Sequence, residues 1–416
     1  MTTKKQNSKL FILVFLGMLS AFGPFVMDMY LPTLPAMSDY FHTTSSMVQL
    51  GLTSSMVGLA VGQLVFGPLS DKYGRRRPLM IAIALFLLST VGCIFSQTIM
   101  QFVGLRFVQG IAGSGGVVLS RSIATDKYSA HELATMLAII GAINGIATVA
   151  APIGGGILAE EAGWHGIFWF LFLLGILLLG GVFRLNESLP AERRLDVNWK
   201  GLCRNFGIVL GNRQYLFYIL QYGFTMGVLF VNIASAPFIM QQYYGLSPMM
   251  FSLCFGANAI AMVISSTISV KLPTMGHALH IGSKGMLLFA ACLTIALSLN
   301  CNFWIYEILI FGLLAMVGMS YTASNALAMD CERRYAGIAS ALLGAIGFLF
   351  GGVVPPLVGL GDMRFTAGLL FLAGAVCAYL YARYAMSSRT FERNLFYHIR
   401  YVMIHLPSDI INRKRG

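Results

Sequence analysis

Charged residues are scarce in this sequence. Only 11% of its 416 residues are charged and 57% are hydrophobic, whereas soluble globular chains carry roughly 25% charged residues. A water-soluble core cannot bury this much apolar surface, so we exclude a soluble globular protein and expect most of the chain to lie in lipid. The net charge of +12 would suggest a nucleic-acid partner on a soluble protein, but here it lies in loops between apolar segments.

Motifs for metal, redox and ATP chemistry are missing as well. The seven cysteines form no C-x-x-C pair and have no metal-ligand spacing. The sequence has no G-x-x-x-x-G-K-[ST] loop, which argues against direct use of ATP. The seven histidines lie mainly in loops and in the C-terminal tail, so no cluster suited to catalysis within a membrane is predicted. We therefore expect neither an enzyme nor an ATP-driven pump, and no metal or cofactor.

What the sequence does contain is a series of twelve apolar runs, each long enough to span a membrane. A polar stretch separates six runs from the next six, which predicts an all-α membrane protein with an N-terminal half over 1–185, a cytoplasmic linker over 186–213 and a C-terminal half over 214–386. The first run follows three lysines without a small-residue cleavage site, so we interpret it as a span and not as a signal peptide. The predicted spans are 10–34, 46–69, 78–97, 100–121, 135–159, 164–184, 214–240, 248–271, 281–300, 302–327, 336–360 and 365–386.

The basic residues give the orientation. Of the 28 Lys and Arg residues, all except Arg106 and Arg364 fall in the termini or in loops on one side of the predicted bundle. Because cytoplasmic loops carry the excess of Lys and Arg, both termini are predicted to be cytoplasmic, in a multi-pass protein of the cell inner membrane. The tail over 387–416 mixes apolar and basic residues, which fits either a basic amphipathic helix on the cytoplasmic leaflet or a disordered tail.

Three charged residues fall within predicted spans, where charge is costly and usually functional. Asp28 and Arg106 are both expected in the outer half of the membrane, where they could form an ion pair and place a proton-accepting carboxylate beside a fixed guanidinium. The alternatives are a purely structural pair, or an Asp28 exposed at the outer surface. Glu307 lies near the start of the tenth span and is a further proton-coupling candidate, unless it lies at the outer interface.

The loop after the second span has a specific pattern, Gly-x-Leu-Ser-Asp-Lys-x-Gly-Arg-Arg. Gly67 permits close helix approach and Gly74 a tight turn, while Asp71 can cap a helix or pair with a base. Arg75 and Arg76 belong to the basic run at the cytoplasmic surface. A plain basic cytoplasmic loop is the simpler alternative, although it would not need this spacing.

This loop resembles the signature loop of the major facilitator superfamily. The segment starting at Arg106 resembles the fourth-span signature of proton-driven drug exporters, and Asp28-Met29-Tyr30-Leu31-Pro32 resembles the bicyclomycin-resistance (Bcr/CflA) branch. The fifth span resembles the antiporter motif, carried here by Gly141, Gly145, Pro152, Gly154 and Gly155.

The resemblance implies two six-helix halves that rock about a central cavity, and export of small drugs in exchange for protons. It implies that Asp71 meets a helix end of the second half when the carrier faces outward, with Arg75 supporting that contact. The antiporter-motif residues would bend the fifth span and pack it against the other half; ordinary close helix packing is compatible with the same glycines. With a single acid in the first span, exchange of one substrate molecule per proton is the simplest expectation.

Polar residues on the predicted spans are candidates for lining the cavity, the alternative being hydrogen bonds between helices. The expected partners are a small-molecule substrate, protons and membrane lipids, with a functional monomer permitted. Export or import of a metabolite such as an amino acid, nucleoside or sugar remains the alternative to drug export. The cavity candidates are Tyr30, Gln109, Asn144, Asn232, Asn258 and Asn325.

Overall fold

The computed structural model describes residues 8–128, 130–194, 199–332 and 336–405. Eleven segments of this described part are long and apolar enough to cross a membrane, and one of them, Ala142–Arg184, has 43 residues. That segment reverses at Gly163, whose φ of 62° lies in the left-handed region that glycine adopts without strain. Two spans therefore join there, and the twelve predicted spans are present.

The helices of the N-terminal half are α1 to α6, and those of the C-terminal half are α8 to α13. The short helix α7 lies in the linker, where the sequence predicts only a polar stretch. The bounds are α1 Lys9–Asp28, α2 Leu34–Tyr40, α3 Ser45–Tyr73, α4 Arg76–Ile94, α5 Ile99–Lys127, α6 Ala130–Arg184, α7 Trp199–Gly211, α8 Arg213–Phe238, α9 Pro248–Lys271, α10 Met275–Ser298, α11 Phe303–Cys331, α12 Ala336–Val358 and α13 Met363–His405.

Small residues let helices of one half approach closely. In α3, Gly58 and Gly62 lie against the backbone of α5, and Gly110 of α5 lies against the backbone of α3. A side chain at any of these positions would meet main-chain atoms. Van der Waals contact between small residues is the usual basis of helix association in lipid, where no hydrophobic force drives it.

Several predicted bounds differ from those of the structure. The first span is not one helix over 10–34, because α1 ends at Asp28 and a short non-α segment precedes α2. The ninth span begins at Met275, six residues before the predicted start. The last span continues as helix to His405, so the first part of the predicted tail has a helical backbone, while residues 406–416 lie outside the described residues.

The outer loops of the C-terminal half meet at Arg364. Its guanidinium donates to Asp362 at 2.9 Å and to Asn300, and it stacks 4.2 Å from the centre of the Tyr243 ring. The hydrogen bond from Arg364 holds the pKa of the Asp362 carboxyl below its usual value. The one basic residue that the sequence places in an outer loop thus ties three connections together.

Candidate functional site

Asp28 is the last residue of α1 and stands at a break in the first span. Residues 29–33, which we call the α1 break, separate α1 from α2 and include a turn of 3₁₀ helix at Leu31–Thr33. Pro32 and Pro35 explain the break, because a proline lacks the N–H that continues a helix and disfavours the α conformation in the residue before it. Interrupted helices of this kind are found at binding sites of membrane transporters.

The Asp28 carboxyl has no hydrogen-bond or ion-pair partner among the described residues. The side chain is partly accessible, so it is neither sealed in a core nor on the open outer surface. A carboxylate at membrane depth normally pairs with a cation or faces a water-filled cavity. Asp28 is therefore positioned to exchange a proton without first breaking a salt bridge.

The predicted ion pair between Asp28 and Arg106 is wrong for this conformation. Arg106 is fully buried and its guanidinium stacks on aromatic rings, 4.3 Å from the centre of Tyr30 and 5.7 Å from that of Phe168. It donates to the backbone carbonyl of Val26 at 3.2 Å and to the side chain of Gln109. Cation–π contact of a desolvated guanidinium contributes on the order of 2 kcal/mol, so Arg106 holds the end of α1 by its backbone and by Tyr30.

The antiporter-motif glycines pack against the same place. A Cβ on Gly155 would collide with the Met29 carbonyl group, whose carbon lies 2.8 Å from that position, and Gly154 is 3.6 Å from the Met29 side chain by the same measure. Pro152 is buried in α6. Gly145 differs, because a Cβ there would meet nothing within 4 Å. Gly141 also has a helical backbone in α6.

The α1 break also touches the C-terminal half. Gln241, which follows α8, donates to the carbonyl of Pro32 at 2.9 Å. The break is thus held by Arg106 of α5, by Gly155 of α6 and by a residue of the other half. A change of charge on Asp28 would act where these three elements meet.

The described hydrogen bonds between the two halves all lie toward the outer end, away from the basic loops. Ser46 donates to the carbonyl of Pro356 at 3.2 Å, Gln49 to that of Ala234 at 3.2 Å, and the backbone N–H of Met249 to Glu160 at 3.1 Å. Gly156 packs a further α6 contact against Ser252 and Pro248 of α9. We call this the outward-closed arrangement.

The basic-loop residues form a cluster within the N-terminal half. The Arg75 guanidinium donates to Asp71, to Ser70 at 2.7 Å and to Asp126 at 2.8 Å. Asp71 therefore pairs within its own half, and its contact with a helix end of the second half, which is expected when the carrier faces outward, stays a prediction. Gly74 ends α3 with a φ of 87°, as its predicted turn requires. The close helix approach predicted at Gly67 is wrong for this conformation, because a Cβ there would meet no described atom within 4 Å.

Glu187 completes this cluster, a role that the sequence does not reveal. Its carboxylate accepts the backbone N–H groups of Arg75 at 2.8 Å and Arg76 at 3.1 Å, at the start of α4. An acidic side chain on free N–H groups is favourable there because of the helix dipole. Arg76 in turn donates to the last carbonyls of α6, those of Val182 and Phe183.

Glu307 is partly buried near the start of α11, at the contact with α9. It accepts a hydrogen bond from the Asn258 amide at 3.1 Å, across the contact between α9 and α11. Its other carboxyl oxygen, Oε2, is buried and has no hydrogen-bond partner, and the same holds for Oδ1 of Asn258. Glu307 and Asn258 thus form a hydrogen bond between two helices, which is the alternative predicted for Asn258.

The remaining cavity candidates divide by accessibility. Asn144 and Asn325 are partly exposed within the bundle, and Asn144 accepts a long hydrogen bond of 3.5 Å from Ser20. Tyr30, Gln109 and Asn232 are buried, and Gln109 uses both ends of its amide on Arg106 and Thr90. In this conformation only the first two are open to a ligand, and their role in binding stays a prediction.

Comparison with known proteins decides the family. The model of the family described as Major Facilitator Superfamily matches residues 10–356. The chain belongs to the major facilitator superfamily. As a major facilitator protein it is a secondary transporter of small molecules in the membrane, and not an enzyme.

Two curated relatives and one solved structure illustrate this membership. The chain is 37% identical to the Uncharacterized MFS-type transporter YdgK of Bacillus subtilis, over 86% of this chain and 90% of the relative. It is 30% identical to the Bicyclomycin resistance protein homolog of Haemophilus influenzae, over 93% and 99%. The xylose transporter XylE of E. coli, solved in a partially occluded inward-open conformation, superposes with a TM-score of 0.71 at 15% identity, over 91% of this chain and 97% of that one. This last likeness establishes the fold alone.

Proposed function

We propose that this carrier exports small drugs across the bacterial inner membrane in exchange for protons. The observation that carries the proposal is the unpartnered carboxyl of Asp28 at the α1 break, where both halves of the molecule meet. Support comes from the relative named for bicyclomycin resistance, which is similar over nearly its whole length.

The proposed cycle uses Asp28 as the proton-coupling residue. In the outward-closed arrangement a substrate enters from the cytoplasm, and the proton on Asp28 leaves toward the same side. The new negative charge lies beside the α1 break, which Arg106 holds through Tyr30 and Val26 and which Gln241 joins to the other half. Release of the Gln241 contact and of the outer contacts between α6 and α9 would then open the carrier outward.

The cluster of basic-loop residues would act at the other end of the molecule in this cycle. When the outer end opens, the basic ends of the halves approach, and Asp71 becomes available to a helix end of the second half. Arg75 keeps Asp71 in place in the meantime, because it pairs with Asp71 and Asp126 together. In this way one set of contacts between the halves replaces the other.

A panel of compounds tests the substrate class. Inverted membrane vesicles that contain the protein are acidified inside by respiration, and proton release is followed with a pH-sensitive dye. We expect bicyclomycin or chloramphenicol to cause proton release that is absent from vesicles without the protein. A response to an amino acid, a nucleoside or a sugar, with none to any drug, would instead establish the metabolite alternative.

A further inference from the structure

A second carboxyl of the bundle has one oxygen without a hydrogen-bond partner, and it is in the other half. Glu307 is joined to Asn258 through Oε1, while its Oε2 and Oδ1 of Asn258 are buried without hydrogen bonds. Asn258 itself is only 1% exposed. Two orphaned acceptors held side by side by a hydrogen bond call for a hydrogen-bond donor at this point, since buried polar atoms are nearly always paired.

No positive charge of the part of the chain that the structure describes lies near Glu307 to fill this role. Among the described residues, Cys254 on α9 and Tyr306 on α11 are the titratable groups that interact with Glu307, and Tyr244 and Cys301 lie beyond Tyr306. The basic residues of the other helices that pack on α11 lie in the parts of those helices nearest the basic loops. They are Arg213 on α8, Lys271 on α9 and Lys284 on α10. An acid that remains ionised at membrane depth is costly, and among the described residues near Glu307 only the Asn258 amide offsets that cost.

We propose that Glu307 and Asn258 form a second proton-binding site, in the C-terminal half, that holds a proton on Glu307 in the outward-closed arrangement. Asn258 is the positioning residue, because its amide N–H fixes Oε1 and leaves Oε2 to carry the proton. This site goes beyond the proposed coupling through Asp28, and its existence does not depend on which substrate is carried.

The position of α9 connects this site with opening of the carrier. α9 bears Asn258, and it also contacts the N-terminal half, through Gly256 against Ile153 and through Met249 against Glu160. Separation of α6 from α9 would admit water along α9 and let the proton on Glu307 exchange with the outer side. Two sites, one in each half, would move two protons per cycle, where the single acid of the first span alone suggests one.

Infrared spectroscopy of the purified full-length protein tests the site without any substrate. A protonated carboxylic acid has a C=O band of its own, well separated from that of a carboxylate. At neutral pH we expect this band in the wild type and in Asp28→Asn. One component of the band should be absent from Glu307→Gln. The control is Glu161→Gln, which makes the same chemical change at an exposed outer acid and should leave that component unchanged. Because a glutamine at 307 keeps an oxygen for the Asn258 amide, this variant should remain folded.

Asn258→Ala supplies a second readout. Loss of the amide donor should move the Glu307 C=O band to higher frequency, because a carbonyl that accepts no hydrogen bond vibrates faster. A band that is identical in the wild type, Glu307→Gln and Asn258→Ala would overturn the proposal and leave Glu307 as an ionised or purely structural residue. Proton-coupled transport through Asp28 would stand in that case, since its own test uses a different variant and a different signal.

Discussion

At the scale of single residues, Arg106 combines three tasks that only a guanidinium can perform. Its planar head stacks on Tyr30 while it donates to Val26 and to Gln109 at the same time. A lysine has one compact donor group and cannot reproduce this arrangement.

We therefore predict that Arg106→Lys lowers the initial rate of transport at least about tenfold, which corresponds to about 1.4 kcal/mol. Each lost hydrogen bond of a charged group is worth about 1.5–3 kcal/mol. The rate is measured in proteoliposomes, with Arg213→Lys at the exposed start of α8 as the control. Wild-type rates in both variants would show that Arg106 needs only its charge.

Gly155 and Gly145 form a matched pair in one helix. A methyl group at Gly155 collides with the backbone of Met29, next to Asp28, whereas one at Gly145 meets nothing within 4 Å. We expect Gly155→Ala to destabilise the fold by about 1–3 kcal/mol, as overpacking does, and to impair transport. Gly145→Ala should stay within about 0.5 kcal/mol of the wild type. Thermal unfolding in detergent measures both, and equal effects of the two substitutions would contradict the proposed contact.

At the scale of helices, the outer contact between α6 and α9 is a separable part of the switch. The Glu160 carboxylate accepts the N–H of Met249 in the first turn of α9, and a negative charge at a helix N-terminus is worth about 0.3–1 kcal/mol. This energy favours the outward-closed arrangement.

Glu160→Gln should accordingly raise the ratio of outward-open to outward-closed molecules about two- to fivefold, the factor that 0.3–1 kcal/mol gives. Spin labels on the outer ends of α6 and α9 report the two populations as two distances. The neighbouring Glu161→Gln is the control, since that exposed acid belongs to no described contact. An unchanged distance distribution in Glu160→Gln would show that the contact does not bias the equilibrium.

At the scale of helices, sequence patterns predicted the spans but not every break or short helix. Apolar runs located the spans because lipid requires about 20 apolar residues in every crossing helix. They missed the α1 break, because Leu31 and Leu34 continue the apolar run past Pro32. They missed α7 because the linker is polar overall.

At the scale of the whole molecule, pairing between distant residues is what the sequence left open. Equal depth suggested that Asp28 and Arg106 would meet, but depth does not specify direction around a helix axis, and Arg106 points at Tyr30 instead. The cluster of Arg75 with Asp126 and Glu187 joins residues more than 50 positions apart. The loop motif identified Arg75 and its neighbour Asp71, whereas no local pattern marks Asp126 or Glu187 as partners.

Asp28 is the proposed link between proton movement and drug movement. This link is tested most directly in proteoliposomes that contain a pH-sensitive dye. Substrate is added outside, and its uptake should drive protons out of the lumen by exchange; the wild type, Asp28→Asn and Asp39→Asn are compared. Asp39 is an exposed acid at the outer end of α2, so its substitution controls for the same change of group. We predict proton flux in the wild type and in Asp39→Asn and none in Asp28→Asn; substrate-driven proton flux that persists in Asp28→Asn would contradict the account.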